Sequence, residues 1–160
     1  MSWTFKVKDI QRLHFEISNY CNLACPSCAR ESRKKNNLSL NSKYLPFHII
    51  KEKFKRLDMP DIKDISFCGN IDEPTIHPEL EEILKYITSE FPNAYVTLST
   101  NGSTRDVNFW NRLGKISRES NFTTIFAIDG LKDTNHLYRI GSSWDKIVKN
   151  FRAVQYTIFT

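Results

Sequence analysis

No stretch of this sequence is apolar for long enough to cross a bilayer, and the opening Met1-Ser2-Trp3-Thr4-Phe5-Lys6 lacks the continuous apolar region of a secretory leader. A cytoplasmic protein is expected. Internal repeats and low-complexity tracts are also missing. Residues 1–160 therefore read as one globular domain with no separate second domain. The histidines His14, His48, His77 and His136 share no metal-ligand spacing, and His77 ahead of Pro78 reads as a helix-entry residue. Charge excess is small, at +5. Its densest basic run, Arg30 with Arg33-Lys34-Lys35, reads first as a solvated loop and second as a phosphate contact.

What is present is an alternation of strand and helix signals. Leu13, Phe15 and Ile17 alternate with His14, Glu16 and Ser18, which predicts a first strand. Phe47, Ile50, Phe54 and Leu57 recur at helical spacing behind Pro46, and Pro60 closes that helix. A second strand is predicted over Ile62 to Cys68, followed by a helix with Leu80, Ile83, Leu84 and Ile87 on one stripe. Ala94 to Thr100 reads as the third strand, Thr104 to Ile116 as a helix, and Thr123 to Asp129 as the fourth strand. In the last helix Trp144, Ile147, Val148 and Phe151 share a face, with Ser142 and Asp145 as a capping pair. Such a succession implies an α/β fold with parallel strands and helical crossovers, whose function sits at the strands' C-terminal ends.

Cysteine is scarce, but three of the four fall in Cys21-Asn22-Leu23-Ala24-Cys25-Pro26-Ser27-Cys28, directly after the first strand. In a reducing compartment clustered thiols point to metal or redox chemistry rather than disulfides. A second two-cysteine knuckle, which a zinc ribbon needs, is missing. Three thiolates on one loop can hold three irons of a cubane cluster and leave the fourth iron open. Gly69-Asn70-Ile71-Asp72-Glu73-Pro74, Ser99-Thr100-Asn101-Gly102 and Asp129-Gly130 close the next three strands, so four polar loops gather at one rim.

These motifs, in this order, resemble the radical S-adenosylmethionine (SAM) enzymes, over Phe15 to about Val154. Ala127-Ile128-Asp129-Gly130 with Tyr138-Arg139-Ile140-Gly141 is similar to the SPASM-type branch. The resemblance implies a partial parallel (β/α) barrel in which Cys21, Cys25 and Cys28 ligate a [4Fe-4S] cluster. It also implies that the open iron is chelated by the amino and carboxylate groups of SAM. Gly69, Asn70, Asp72 and Glu73 would form the segment that receives the SAM amino group, through backbone carbonyls and an acidic side chain. Ser99, Asn101 and Asp129 would approach the ribose, and Arg139 the carboxylate. The implied activity is one-electron cleavage of SAM to a 5'-deoxyadenosyl radical that takes hydrogen from a substrate, a peptide or another small polar molecule. Reduction would come from an external one-electron donor such as flavodoxin or ferredoxin.

Several positions depart from the family pattern. Ser27 stands where many members have an aromatic residue against adenine, and Asp72 stands where a second glycine is common. A side chain at Asp72 either narrows the site or adds a second carboxylate. The family's usual barrel has about six strand-helix units, and about four are read here. This predicts a truncated or split product, an exposed edge at the fourth strand, and a partner subunit that completes the barrel.

Plainer roles stand beside these. Cys68 reads as a packed core thiol, Glu73 as a helix-entry acid, Ser99 and Asn101 as turn formers, Asp129 as a turn cap and Arg139 as a surface ion-pair residue. For the whole chain three readings remain: a radical SAM enzyme, a non-catalytic remnant that binds a cluster, and a zinc-binding nucleic-acid module using Arg33 to Lys35 on phosphate.

Overall fold

The computed structural model describes residues 6–38, 43–67 and 70–159, with side chains described as far as residue 155. Four strands, β1 (Arg12–Phe15), β2 (Asp64–Phe67), β3 (Tyr95–Thr100) and β4 (Phe122–Phe126), form one sheet in the order β1-β2-β3-β4. Every neighbouring pair is parallel. Helical connections follow from that, because a parallel pair cannot be joined by a tight turn. α1 (Ala29–Lys35) and α2 (Phe47–Phe54) join β1 to β2, α3 (Leu80–Glu90) joins β2 to β3 and α4 (Val107–Glu119) joins β3 to β4, while α5 (Asn135–Tyr138) and α6 (Trp144–Phe159) follow β4. The fold is the expected α/β partial parallel barrel.

Register explains why one face of the sheet is dry. Leu13, Ile65, Val96 and Phe122 lie side by side, and Phe15, Phe67 and Leu98 form the next row on the same face. Ile65, Phe67, Val96 and Leu98 are fully buried there beneath the helices. The stripe Leu80, Ile83, Leu84 and Ile87 of α3 is fully buried against them, as its spacing predicts. Phe109, Trp110, Leu113 and Ile116 of α4 extend the same core, and Asp106 caps that helix by accepting from the Phe109 N–H at 2.9 Å.

Two expectations for the last helix fail. Phe151 is 44% exposed, whereas Asn150 is 1% exposed, so the buried face runs through Ile147, Asn150, Ala153 and Val154. Asn150 is drawn inward because its Nδ2 donates to the carbonyls of Gly102 and Thr104 at 2.8 and 3.1 Å. The N-terminal contact comes from Ser143, whose Oγ meets the Lys146 N–H at 3.5 Å, while Ser142 instead accepts from Asn135. Strand four ends earlier than predicted, at Phe126, which leaves Asp129 on the following loop. Its outer side pairs with no strand among the described residues. Ile125, Ile128, Leu131, Leu137 and Ile140 lie exposed on β4 and the segment after it.

Candidate functional site

The loop after β1 lies across the ends of the other three strands. Tyr20 accepts the Glu73 N–H at 2.6 Å from the loop after β2. Asn22 accepts from Asn101 Nδ2 and donates to Ser103 Oγ, both at 2.9 Å, on the loop after β3. Ala24 donates its N–H to the Ile140 carbonyl at 3.0 Å, beyond β4. Gly141 completes that docking with φ +93°, and a Cβ there would meet the Asn22 carbonyl at 3.4 Å.

These ties enclose a cavity of about 150 Å³ lined by Cys21, Cys25, Cys28, Asn70, Asp72, Glu73, Asn101 and Arg139, together with Leu23, Ile71 and Tyr138. Whole small-molecule sites usually run to ~300–1,000 Å³, so these residues enclose only part of a cofactor-sized ligand. Most sequence-predicted site residues thus meet in one place. Ser99 stands on β3 outside the cavity lining, and Asp129 reaches it only through Arg139, whose Nε donates to the Asp129 carboxylate. Gly69 and Cys68 lie outside the described residues.

The three cysteines are free thiols. Burial pushes the Cys21 thiol up in pKa, against the Leu23 N–H that favours the thiolate. Burial also raises Cys25, and the Arg139 guanidinium beside it pulls the other way. For Arg139 burial disfavours the charge, yet its hydrogen bond and ion pair with Asp129 leave its pKa above the ordinary value. The Cys28 thiol faces the Asn70 carbonyl at 3.8 Å. Among the described residues no three His, Cys, Asp or Glu side chains converge closely enough to hold a single metal ion.

Glu73, 3% exposed, lines the cavity and is also the centre of a polar network. Its Oε1 accepts from the Thr75 N–H and from the hydroxyls of Thr75 and Thr100, while its Oε2 accepts the Asn101 N–H at 2.7 Å. Thr104 in turn bonds Thr75, and the Gly102 N–H donates to Thr100 at 3.0 Å. Burial pushes the Glu73 pKa up, and the donors from Asn101, Thr100 and Thr75 pull it back. The helix-entry reading is also met, since the Thr75 bond caps a 3-10 turn over Pro74–Ile76.

Asp72 differs. Its Oδ2 accepts from the Ser18 N–H at 3.2 Å and the Ser18 hydroxyl at 3.4 Å, but its Oδ1 is buried with no partner among the described residues. Burial pushes its pKa up to about 7, against the Ser18 N–H, with the charges of Glu16 and Glu73 adding to the rise.

Sequence reasoning missed several of these groups. Arg30, grouped with the solvated basic run, is 8% exposed, and its guanidinium donates to the carbonyls of Asn19 and Ile71. The rest of that run stays on the surface of α1, with Lys34 paired to Glu31. Arg105 donates to the carbonyls of Thr75, Ile76 and His77 at 2.6, 3.1 and 2.7 Å, which fixes the turn behind Glu73. His77 is fully buried, accepts the Glu79 N–H on Nδ1 and donates from Nε2 to Leu45, and burial lowers its pKa. Arg30 and Arg105 had no local signal, because their carbonyl partners are distant in sequence, whereas the bond from the Glu79 N–H fits the helix-entry reading of His77.

Comparison with known proteins points the same way. A family model described as the Radical SAM superfamily matches residues 15–156. The chain is 27% identical over 150 residues to a 7,8-dihydro-6-hydroxymethylpterin dimethyltransferase of Methanocaldococcus jannaschii, covering 88% of this chain and 27% of that protein. It is 27% identical over 130 residues to the FeMo cofactor biosynthesis protein NifB of the same organism, covering 78% of this chain and 43% of the relative. A solved structure described as native anSMEcpe with bound AdoMet superposes with a TM-score of 0.69 at 23% identity, over 92% of this chain and 41% of that one. The chain thus spans less than half the length of each. No helix among the described residues is long and apolar enough to cross a membrane.

Proposed function

From the premise that the chain belongs to the radical SAM superfamily, we propose that residues 1–160 form the core domain of a radical SAM enzyme that binds a [4Fe-4S] cluster and SAM at this cavity. The single observation that carries the reading is that all three cysteines line one cavity with Asn70, Asp72, Glu73, Asn101 and Arg139 at the C-terminal ends of the parallel strands. The residues fit the pair of cofactors. The thiols offer three cluster ligands along one cavity, and Asp72 offers an unsatisfied acceptor. Bound there, the cluster and SAM supply one-electron reductive cleavage of SAM and removal of a hydrogen atom from a substrate.

The chain's own part is to bind, orient and shield. Cys21, Cys25 and Cys28 hold the cluster, the ties from Tyr20, Asn22 and Ala24 keep their loop in place, and Arg139 sets a positive charge beside Cys25. Asn70 and Asn101 meet SAM from the cavity wall, while Gly69, Ser99 and Asp129 are carried over as cofactor-binding residues from the family resemblance alone. The substrate is a peptide or another small polar molecule. Electrons come from an external donor such as flavodoxin or ferredoxin, in the cytoplasm, and a partner subunit covers the open edge of β4.

Anaerobic purification, reconstitution with iron and sulfide, and visible spectra before and after dithionite test the assignment, followed by a 5'-deoxyadenosine assay with SAM. A brown, dithionite-bleachable chromophore that Cys25→Ala loses is the expected result. A colourless zinc-loaded protein, or a chromophore unchanged in Cys25→Ala, would overturn it. A chromophore that never yields 5'-deoxyadenosine would favour the cluster-binding remnant.

A further inference from the structure

Two cations stand beside the cysteine loop, and they are differently committed. The Arg139 guanidinium near Cys25 is paired with Asp129, which offsets its charge locally. Arg30 is buried, yet no carboxylate lies within ion-pair distance of it among the described residues. Its sequence neighbour Glu31 pairs with Lys34. Asp72 turns to Ser18, and Glu73 to Thr75, Thr100 and Asn101. The bonds that Arg30 does make go to the neutral carbonyls of Asn19 and Ile71, and its Nε is buried without a partner.

A buried cation held only by carbonyls lacks a counter-charge, and that is costly. The two carbonyls fix where the charge sits. Asn19 stands two residues before Cys21, and Ile71 lines the cavity with all three thiols, so the guanidinium is braced between the cysteine loop and the cavity wall. From there its charge reaches Cys21 and favours the thiolate. Three thiolates would supply the negative charge that Arg30 lacks. Reduction adds one electron and one further negative charge at the same place, with no bond made or broken, and a fixed cation favours the more anionic state.

Resting on the cluster-binding reading above, we infer that Arg30 is the built-in counter-charge of the three-thiolate site, a positioning residue whose permanent charge raises the reduction potential of the cluster held there. Arg139 has the same sign but is already offset by Asp129, so the effect falls on Arg30. The bonds to Asn19 and Ile71 hold the charge in place.

The midpoint of a mediated dithionite titration, followed by visible absorbance on the reconstituted full chain without SAM, tests this. Arg30→Gln keeps an N–H donor and removes the charge, and it is expected to lower the reduction equilibrium about tenfold, which is about 59 mV for one electron. Arg30→Lys keeps the charge and is expected to stay within about twofold of wild type. Arg30→Met takes the place of Gln should Gln disturb folding, with far-UV circular dichroism and iron content confirming the loaded state. Loss of the cluster from both neutral variants but not from Lys also supports the inference, since charge is then what the site needs. An unchanged midpoint in Gln or Met, a Lys midpoint shifted as far as the neutral one, or loss of the cluster from all three variants overturns it and leaves Arg30 a structural brace. Wild-type protein that takes up no cluster overturns the proposed function itself, and this role with it.

Discussion

Removing the Glu73 carboxylate tests a group that holds four hydrogen bonds in a buried network. In Glu73→Ala the backbone N–H groups of Thr75 and Asn101 lose their acceptor and cannot turn away, because the 3-10 turn and the end of β3 fix them. The hydroxyls of Thr75 and Thr100 sit 3.5 Å apart and can partly satisfy each other. A stranded buried donor costs about 1–3 kcal/mol, so two fixed donors put the loss near ~3–5 kcal/mol once relief of the buried charge is set against it. Glu73→Gln keeps one oxygen for the threonines and turns an NH2 toward Asn101, a loss of about 1–2 kcal/mol. Urea unfolding of the full chain under reducing conditions, followed by tryptophan fluorescence, should order the midpoints wild type, Gln, Ala. Both variants within ~0.5 kcal/mol of wild type, or Gln costlier than Ala, would refute the reasoning.

Three further perturbations follow from the same geometry. The folded protein holds the Asp72 proton more tightly than an unfolded chain, with a pKa of about 7 against ~3.9. Its contribution to stability is therefore complete below about pH 4 and declines toward pH 7, by at most ~1.4 kcal/mol per pH unit; Asp72→Asn should flatten that slope in urea titrations, and an unchanged slope would count against it. Gly102→Ala places a Cβ 2.5 Å from the Phe126 ring at φ +69°, and a loss of about 2–4 kcal/mol in thermal or urea unfolding is expected, with less than ~0.5 kcal/mol as the refuting result. Arg105→Met leaves the Thr75 and Ile76 carbonyls without a donor, the His77 carbonyl keeping the Leu80 N–H at 3.3 Å, and should cost ~2–3 kcal/mol, measured the same way, whereas near-neutrality would show that water replaces the guanidinium freely.

The sheet and its cover were legible because burial writes itself into periodicity. The α3 stripe is an instance: Leu80, Ile83, Leu84 and Ile87 are all fully buried. The α6 stripe misled for a complementary reason. Hydrophobicity favoured Phe151, but Asn150 turns inward to donate to the loop carbonyls of Gly102 and Thr104. At the site, the cysteine spacing and the acid-Pro pair could be read directly. The fate of Glu73 could not, since its donors lie as far as 28 residues away and converge only through the fold. Arg30 was hidden in the same manner, inside a basic run whose other members face solvent.

The ties of the cysteine loop have a metric consequence. Tyr20, Asn22 and Ala24 are bonded in turn to the loops after β2, β3 and β4, so the loop advances by one strand for every two residues. Neighbouring strands are about 4.8 Å apart, within the reach of two residues, so the sheet's pitch and the chain's stride are matched. An inserted residue between Tyr20 and Ala24 would throw every later tie out of phase by half a step. The interval between Cys21 and Cys25 is in this sense measured off by the sheet.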